Sequence, residues 1–193
     1  MTILCALFDQ EANELWLGCN DRATIGDTPA PSPISKWLTF DEWAIGLSGN
    51  ESVYELFLRL AGESFPRAGD ILDVFQFLRK TFDDYGLGQQ KSGDTSLSYG
   101  VDGIIAHKSG RIWDFDNQLA LSEVPAGRLW ACGSGVDYAL GADFVAARSG
   151  KSPHERMGFA IGAAIALDIA CPGDAIIGRF TGGDMREGEQ SVG

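Results

Sequence analysis

The sequence predicts an α+β protein built as a four-layer αββα sandwich of two largely antiparallel sheets. Three observations predict it. Apolar strands follow one another across short polar turns, the pattern of hairpins and so of antiparallel pairing. The hydrophobic period switches from two to about 3.6 and back, so strands and helices come in blocks. The blocks run as four strands, two helices, three strands, two helices and one strand, an order that two facing sheets with outer helix pairs accommodate.

Each element has its own signal. TILCALFD (2–9) and ELWLGCNDRAT (14–24) are apolar runs separated by QEAN, which reads as a tight turn. ISKWLTF (34–40) and EWAIGLSG (42–49) form a second pair, entered through the proline-rich loop TPAPSP. Beyond Gly49 the apolar residues Val53, Leu56, Phe57 and Leu60 fall at helical spacing, with Asn50 placed to cap and Gly62 to stop. A second helix has Asp70 as its cap, a stripe of Ile71, Val74, Phe75, Leu78 and Phe82, and Gly86 at its end. GLGQQKSGDTS (86–96) is a loop.

Strands return in LSYGVDGIIAH (97–107), RIWDFD (111–116) and RLWACGSG (128–135). In the following helix Val136, Leu140, Phe144 and Ala147 lie on one side. The last helix opens at Ser152-Pro153-His154-Glu155, where a serine cap, proline at the first turn and glutamate three residues on make a capping box. Its small apolar residues suggest burial between neighbours. AIIGRF (175–180) closes the sheet, and about 182–193 is a polar tail expected to be mobile.

With 193 residues the chain is long enough for one domain with a full core, and it is read as a single domain over 1–193. The net charge of -12 argues against nucleic-acid and anionic-membrane partners, both of which need a basic surface. Cys5, Cys19, Cys132 and Cys171 have no CxxC pairing and read as reduced, packed thiols. With no charged n-region and apolar h-region at the start and no apolar run of spanning length, the expected location is the cytoplasm. His107 and His154 stand apart from other ligand types, and nothing calls for a metal or cofactor.

Several short motifs occur together in a fixed order. Thr2 follows the initiator methionine, RATIGDT follows the second strand, Ser35-Lys36 follows the proline-rich loop, and LSGNES joins the fourth strand to the first helix. Further on, ACGSGVDYALGA leads into the third helix and ALDIACPGD ends the fourth. In this order the chain resembles the proteasome β-subunit and HslV-type peptidases, which are N-terminal-nucleophile (Ntn) hydrolases. The resemblance covers nearly the whole chain.

It implies a threonine-type endopeptidase. Removing Met1 would give Thr2 a free α-amine beside its own Oγ, and an amine of reference pKa near 8 is a usable base for a hydroxyl that is otherwise a poor nucleophile. Lys36 would lower the hydroxyl's pKa or accept its proton. Its other role is a solvated lysine guarding a strand edge. Gly49, where a strand feeds a helix, is the candidate oxyanion donor through its N–H. Ser134 and Asp168 correspond to the residues that orient the terminal amine, and Asp168 in an apolar run needs such a partner.

Two positions depart from the family pattern. Active members carry aspartate where this chain has Asn20, and Asp21, one residue late, points to the other face of the strand. Cys171 stands where a serine is usual, and a thiol is a weaker hydrogen-bonding group than a hydroxyl. On this reading Asn20→Asp is expected to preserve or raise the rate and shift its pH profile. The resemblance further implies a homo-oligomeric double ring of six or seven subunits per ring, unfolded proteins or peptides as substrates, and an AAA+ unfoldase as partner. Two alternatives are a ring subunit impaired at Asn20 and Cys171, and a small-molecule amidase using the same threonine.

Overall fold

The computed structural model describes residues 2–22, 24–25, 28–29, 36–49, 57, 64–67, 69–86, 89–90, 97–183 and 185–187. Its first hairpin joins β1 (Ile3–Asp9) to β2 (Glu14–Asn20). The Asp9 carboxylate accepts the N–H groups of Glu11 and Ala12, and Asn13 takes a left-handed φ of 54°. Short polar side chains make this turn because they bond locally and tolerate positive φ. The short pairs β3 (Thr24–Ile25) with β4 (Thr28–Pro29) and β7 (Gln89–Gln90) with β8 (Leu97–Ser98) stand apart from the main sheets.

One five-stranded sheet runs β12 (Trp130–Gly133), β1, β2, β13 (Ala175–Phe180), β14 (Met185–Glu187). The other runs β11 (Leu121–Val124), β10 (Ile112–Phe115), β9 (Val101–His107), β6 (Trp43–Gly49), β5 (Trp37–Phe40). Every pairing in both is antiparallel. Four strands differ from expectation: β4 and β7 pair locally within stretches read as loops, and two more join the main sheets. Leu121–Val124 was not anticipated, having a single buried residue, at its end. Met185–Glu187 lies in the expected polar tail yet adds to the sheet edge through β13.

Three apolar layers hold the sandwich. Leu4, Leu17, Trp37, Ile104 and Ala106 fill the space between the sheets. On one outer face Val74, Leu78 and Phe82 of α1 (Ile71–Asp84) pack against Ile45, Leu47, Ile105 and Phe115. On the other, Met157, Ala160, Ile161 and Ala164 of α3 (Pro153–Leu167) cover Ile3, Cys5 and Leu7. Each large side chain removed from water in this way stabilises by about 1.5–3 kcal/mol. The layering is therefore helix, sheet, sheet, helix, the four-layer sandwich that the sequence predicts.

The helix ends follow the sequence closely. Asp70 accepts from Leu72 and Asp73 N–H while Asp73 reaches back to Asp70 N–H. Ser152 and Glu155 form the reciprocal box ahead of α3, with Pro153 at its first position. The helix expected after Gly49 lies outside the described residues except for Phe57, which is fully buried. The buried face of α2 (Val136–Arg148) is a correction: Ala139, Asp143 and Ala146 face inward, and Phe144 is exposed. Arg156 explains it, because its guanidinium makes a two-point bond to Asp143 at 2.7 and 3.0 Å and draws that face against α3. Likewise α3 buries one face and exposes Phe159 and Leu167 on the other. No helix among the described residues is long and apolar enough to cross a membrane.

Candidate active site

Asn20, the last residue of β2, is wholly buried and uses all of its hydrogen-bonding capacity. Its Oδ1 accepts from the Ile3 N–H at 3.0 Å and from Lys36 Nζ at 2.6 Å. Its Nδ2 donates to the carbonyls of Arg22 and Pro172, both at 2.8 Å. The partners fix the amide's orientation, since two donors meet the oxygen and two acceptors meet the nitrogen. Lys36 is itself buried and also donates to Arg22 O at 2.7 Å. It is brought in by Trp37, which starts β5 and ties that strand to the opposite sheet through Nε1 to Gly18 O at 3.0 Å. Lys36 Nζ and the peptide nitrogen following Thr2 thus share one acceptor and lie within two hydrogen-bond lengths of each other.

Thr2 is buried and borders a cavity of about 240 Å³ lined by Ser48, Gly49, Asp102, Gly133 and Ser134. Two of these must be glycine. Gly49 has φ of 122°, and a Cβ there would overlap the Gly100 carbonyl oxygen. Gly133, at φ of 105°, lies directly against the Thr2 carbonyl, and Ser48 Oγ would stand 3.2 Å from its Cβ. The Thr2 backbone therefore passes this wall closer than any side chain would permit.

A second polar cluster stands behind Ser134. Cys171 Sγ lies 3.3 Å from Ser134 Oγ and donates to Asp168 Oδ2 at 3.3 Å, while Ala170 N–H donates to Asp168 Oδ1 at 2.9 Å. Burial acts to raise the Asp168 carboxyl. The Ala170, Ser134 and Cys171 hydrogen bonds lower it and hold the group below the ordinary carboxylate range. The Cys171 thiol is pushed up, chiefly by burial, so it serves as a neutral donor. Asp168 is the C-cap of α3 and half-buried, so the apolar run around it does not enclose it as its sequence setting suggested.

The seven residues singled out in the sequence fall into three connected sets. Thr2, Gly49 and Ser134 border the cavity; Asn20 and Lys36 form the lysine anchor; Ser134, Asp168 and Cys171 form the second cluster. Asp21 is turned away from Lys36 and accepts the Asp174 N–H at 2.8 Å. Ser48 and Asp102 were missed. Their signal was a polar residue on the core-facing register of an otherwise apolar strand. His107 bonds Ser109 and Glu42, and His154 lies against Trp16. Among the described residues no group of His, Cys, Asp or Glu is placed to hold a metal ion.

This fold is that of the proteasome-like Ntn hydrolases. Among solved structures, the chain is similar to BPH, the beta-proteasome homologue of Thiobacillus denitrificans, with a TM-score of 0.75 at 16% identity over 93% of this chain and 97% of that one. The same protein in complex with epoxomicin gives a TM-score of 0.76 at 15% identity, covering 93% and 98% of the two chains. Eukaryotic HslV from Trypanosoma brucei gives 0.65 at 20% identity, again over 93% and 98%. No protein-family model and no curated protein matches the chain.

Proposed function

We propose that this chain is the catalytic subunit of a self-compartmentalised threonine peptidase. The observation that carries the reading is the shared acceptor: Asn20 Oδ1 receives both Lys36 Nζ and the N–H of the residue after Thr2. That bond sets a buried ammonium beside the residue whose hydroxyl must be activated.

In the proposed reaction Met1 is first removed. Thr2 Oγ attacks the carbonyl carbon of the peptide bond, its proton passing to the Thr2 α-amine. The Gly49 N–H holds the oxyanion, a contribution typically worth 10²–10³ in rate. Collapse breaks the C–N bond, and the α-amine returns its proton to the departing amine. Water, deprotonated by the same α-amine, then cleaves the acyl ester and frees Oγ. Asp168, Ser134 and Cys171 hold that amine in place. The solved relatives are HslV and a proteasome homologue, which supports a ring of identical subunits with Thr2 facing its interior, fed by an AAA+ unfoldase with unfolded chains or peptides.

The test is intact mass after incubation with epoxomicin, the compound bound to the Thiobacillus denitrificans homologue. A single adduct on protein lacking Met1, abolished by Thr2→Ala, is expected. Correctly trimmed protein that forms none refutes the reading and leaves the second one. That second reading, a ring subunit with a decayed site, is favoured by the neutral amide at Asn20, which adds no charge to the lysine anchor.

A further inference from the structure

The inner faces of the two sheets are apolar along most of their length, through Leu4, Leu17, Ile104 and Ala106. At the end nearest Thr2 they turn polar. Ser48 and Asp102 are opposite one another in the β6–β9 pair, and Cys132 from the facing sheet donates its thiol to Asp102 Oδ2 at 3.2 Å. Strand alternation puts Asp102 on the same face as Ile104 and Ala106, where a carboxylate has no packing role. Burial pushes its carboxyl above the ordinary value, and the Cys132 thiol and the N–H groups of Asp102 and Gly133 offset this in part. Among the described residues no lysine or arginine forms an ion pair with it.

The other residues bordering the cavity are Thr2, Ser48, Gly49, Gly133 and Ser134, and none has a side chain that carries charge at neutral pH. Asp102 is therefore the one charged side chain in the lining itself, while the Lys36 ammonium behind Thr2 is already held by Asn20 and the Arg22 carbonyl. A half-buried carboxylate whose side-chain donor is a thiol is costly to keep, and an arriving cation would relieve that cost. The cavity, at about 240 Å³, admits one long side chain.

We propose that Asp102 makes this cavity select a cationic group, the ammonium or guanidinium of a lysine or arginine flanking the bond to be cleaved in a peptide substrate. The inference rests on the peptidase reading for the word substrate, but the recognition itself is a binding property and can be read without cleavage.

The experiment uses the full chain carrying Thr2→Ala and fluorescently labelled octapeptides followed by anisotropy. One peptide has lysine at its centre. A second has norleucine there and the lysine moved to one end, so the net charge is unchanged and the long-range field of an acidic protein cancels. A third has central glutamate. The central-lysine peptide should bind about tenfold more tightly than the norleucine peptide, as a half-desolvated ion pair provides, and the glutamate peptide weakest. Asp102→Asn should bring the first two within twofold. Equal affinities for them in protein that retains Asp102, or no binding of any peptide, overturn the proposal whether or not the variant folds. Selective binding by the Thr2→Ala chain, when the parent chain trimmed to Thr2 neither cleaves peptides nor takes up epoxomicin, would uphold the cation site and refute the peptidase reading alone.

Discussion

Asn20→Asp separates two lines of argument, because analogy with active peptidases makes it harmless and the geometry makes it costly. The substitution exchanges one nitrogen for oxygen. That atom now donates to Arg22 O and Pro172 O, each at 2.8 Å, inside a fully buried site. A carboxylate would set an anionic oxygen against both carbonyls. Arg22 O keeps Lys36 as a donor, whereas Pro172 O has no other hydrogen bond among those described. An orphaned buried acceptor costs about 1–3 kcal/mol, and the loss of the Arg22 bond adds about 1. The stronger pairing with Lys36, already a charge-assisted bond, returns about 1–2 kcal/mol. The net is destabilisation by about 2 kcal/mol. For a chain of 193 residues that lowers Tm by about 4–8 °C. Thermal unfolding followed by circular dichroism at pH 7 reads it directly. A Tm equal to or above that of the parent would show that the amide nitrogen is not doing what the structure assigns to it.

Three more outcomes follow from the same structure. Lys36→Met keeps the unbranched stem of a buried side chain and removes its charged end, so the rate of epoxomicin modification should fall by at least about 10²-fold; an unchanged rate would exclude the lysine from activation. Arg156→Leu strands the buried carboxylate of Asp143, costing about 3–5 kcal/mol in urea unfolding, while the double variant with Asp143→Leu should recover most of that loss; additive losses would contradict a mutual pair. Asp102 binds its proton more tightly folded than unfolded, so it removes stability as pH rises from the ordinary carboxylate value through its raised one. Asp102→Asn should therefore melt higher than the parent at pH 7, with the advantage disappearing below about pH 4. A variant less stable at neutral pH would reverse the sign.

The sequence made some of this legible and hid the rest for physical reasons. Hairpin turns and capping boxes are local, so Asp9, Asn13, Asp70 and Ser152 could be read from their immediate neighbours. The one-residue distinction between Asn20 and Asp21 was also readable, because strand side chains alternate. What Asn20 bonds was not, since Pro172 lies 152 positions away and the cost of aspartate depends on that carbonyl. The face of α2 was misjudged for a similar reason. An apolar stripe ranks Phe144 above Asp143, and nothing local announces that Arg156 will neutralise the aspartate. Asp102 escaped notice because a lone acid in VDGIIAH is unremarkable until its strand register is known.

Ile3 is clamped from three directions. Its N–H belongs to Asn20, its backbone is in register with Gly133, and its side chain is fully enclosed beneath α3. On the proposed reading, maturation therefore breaks one peptide bond and turns the Thr2 amide nitrogen into an amine, while the residue that follows it stays anchored. A precursor would already own its finished scaffold, and the moment of activation would be chosen by an aminopeptidase and not by folding.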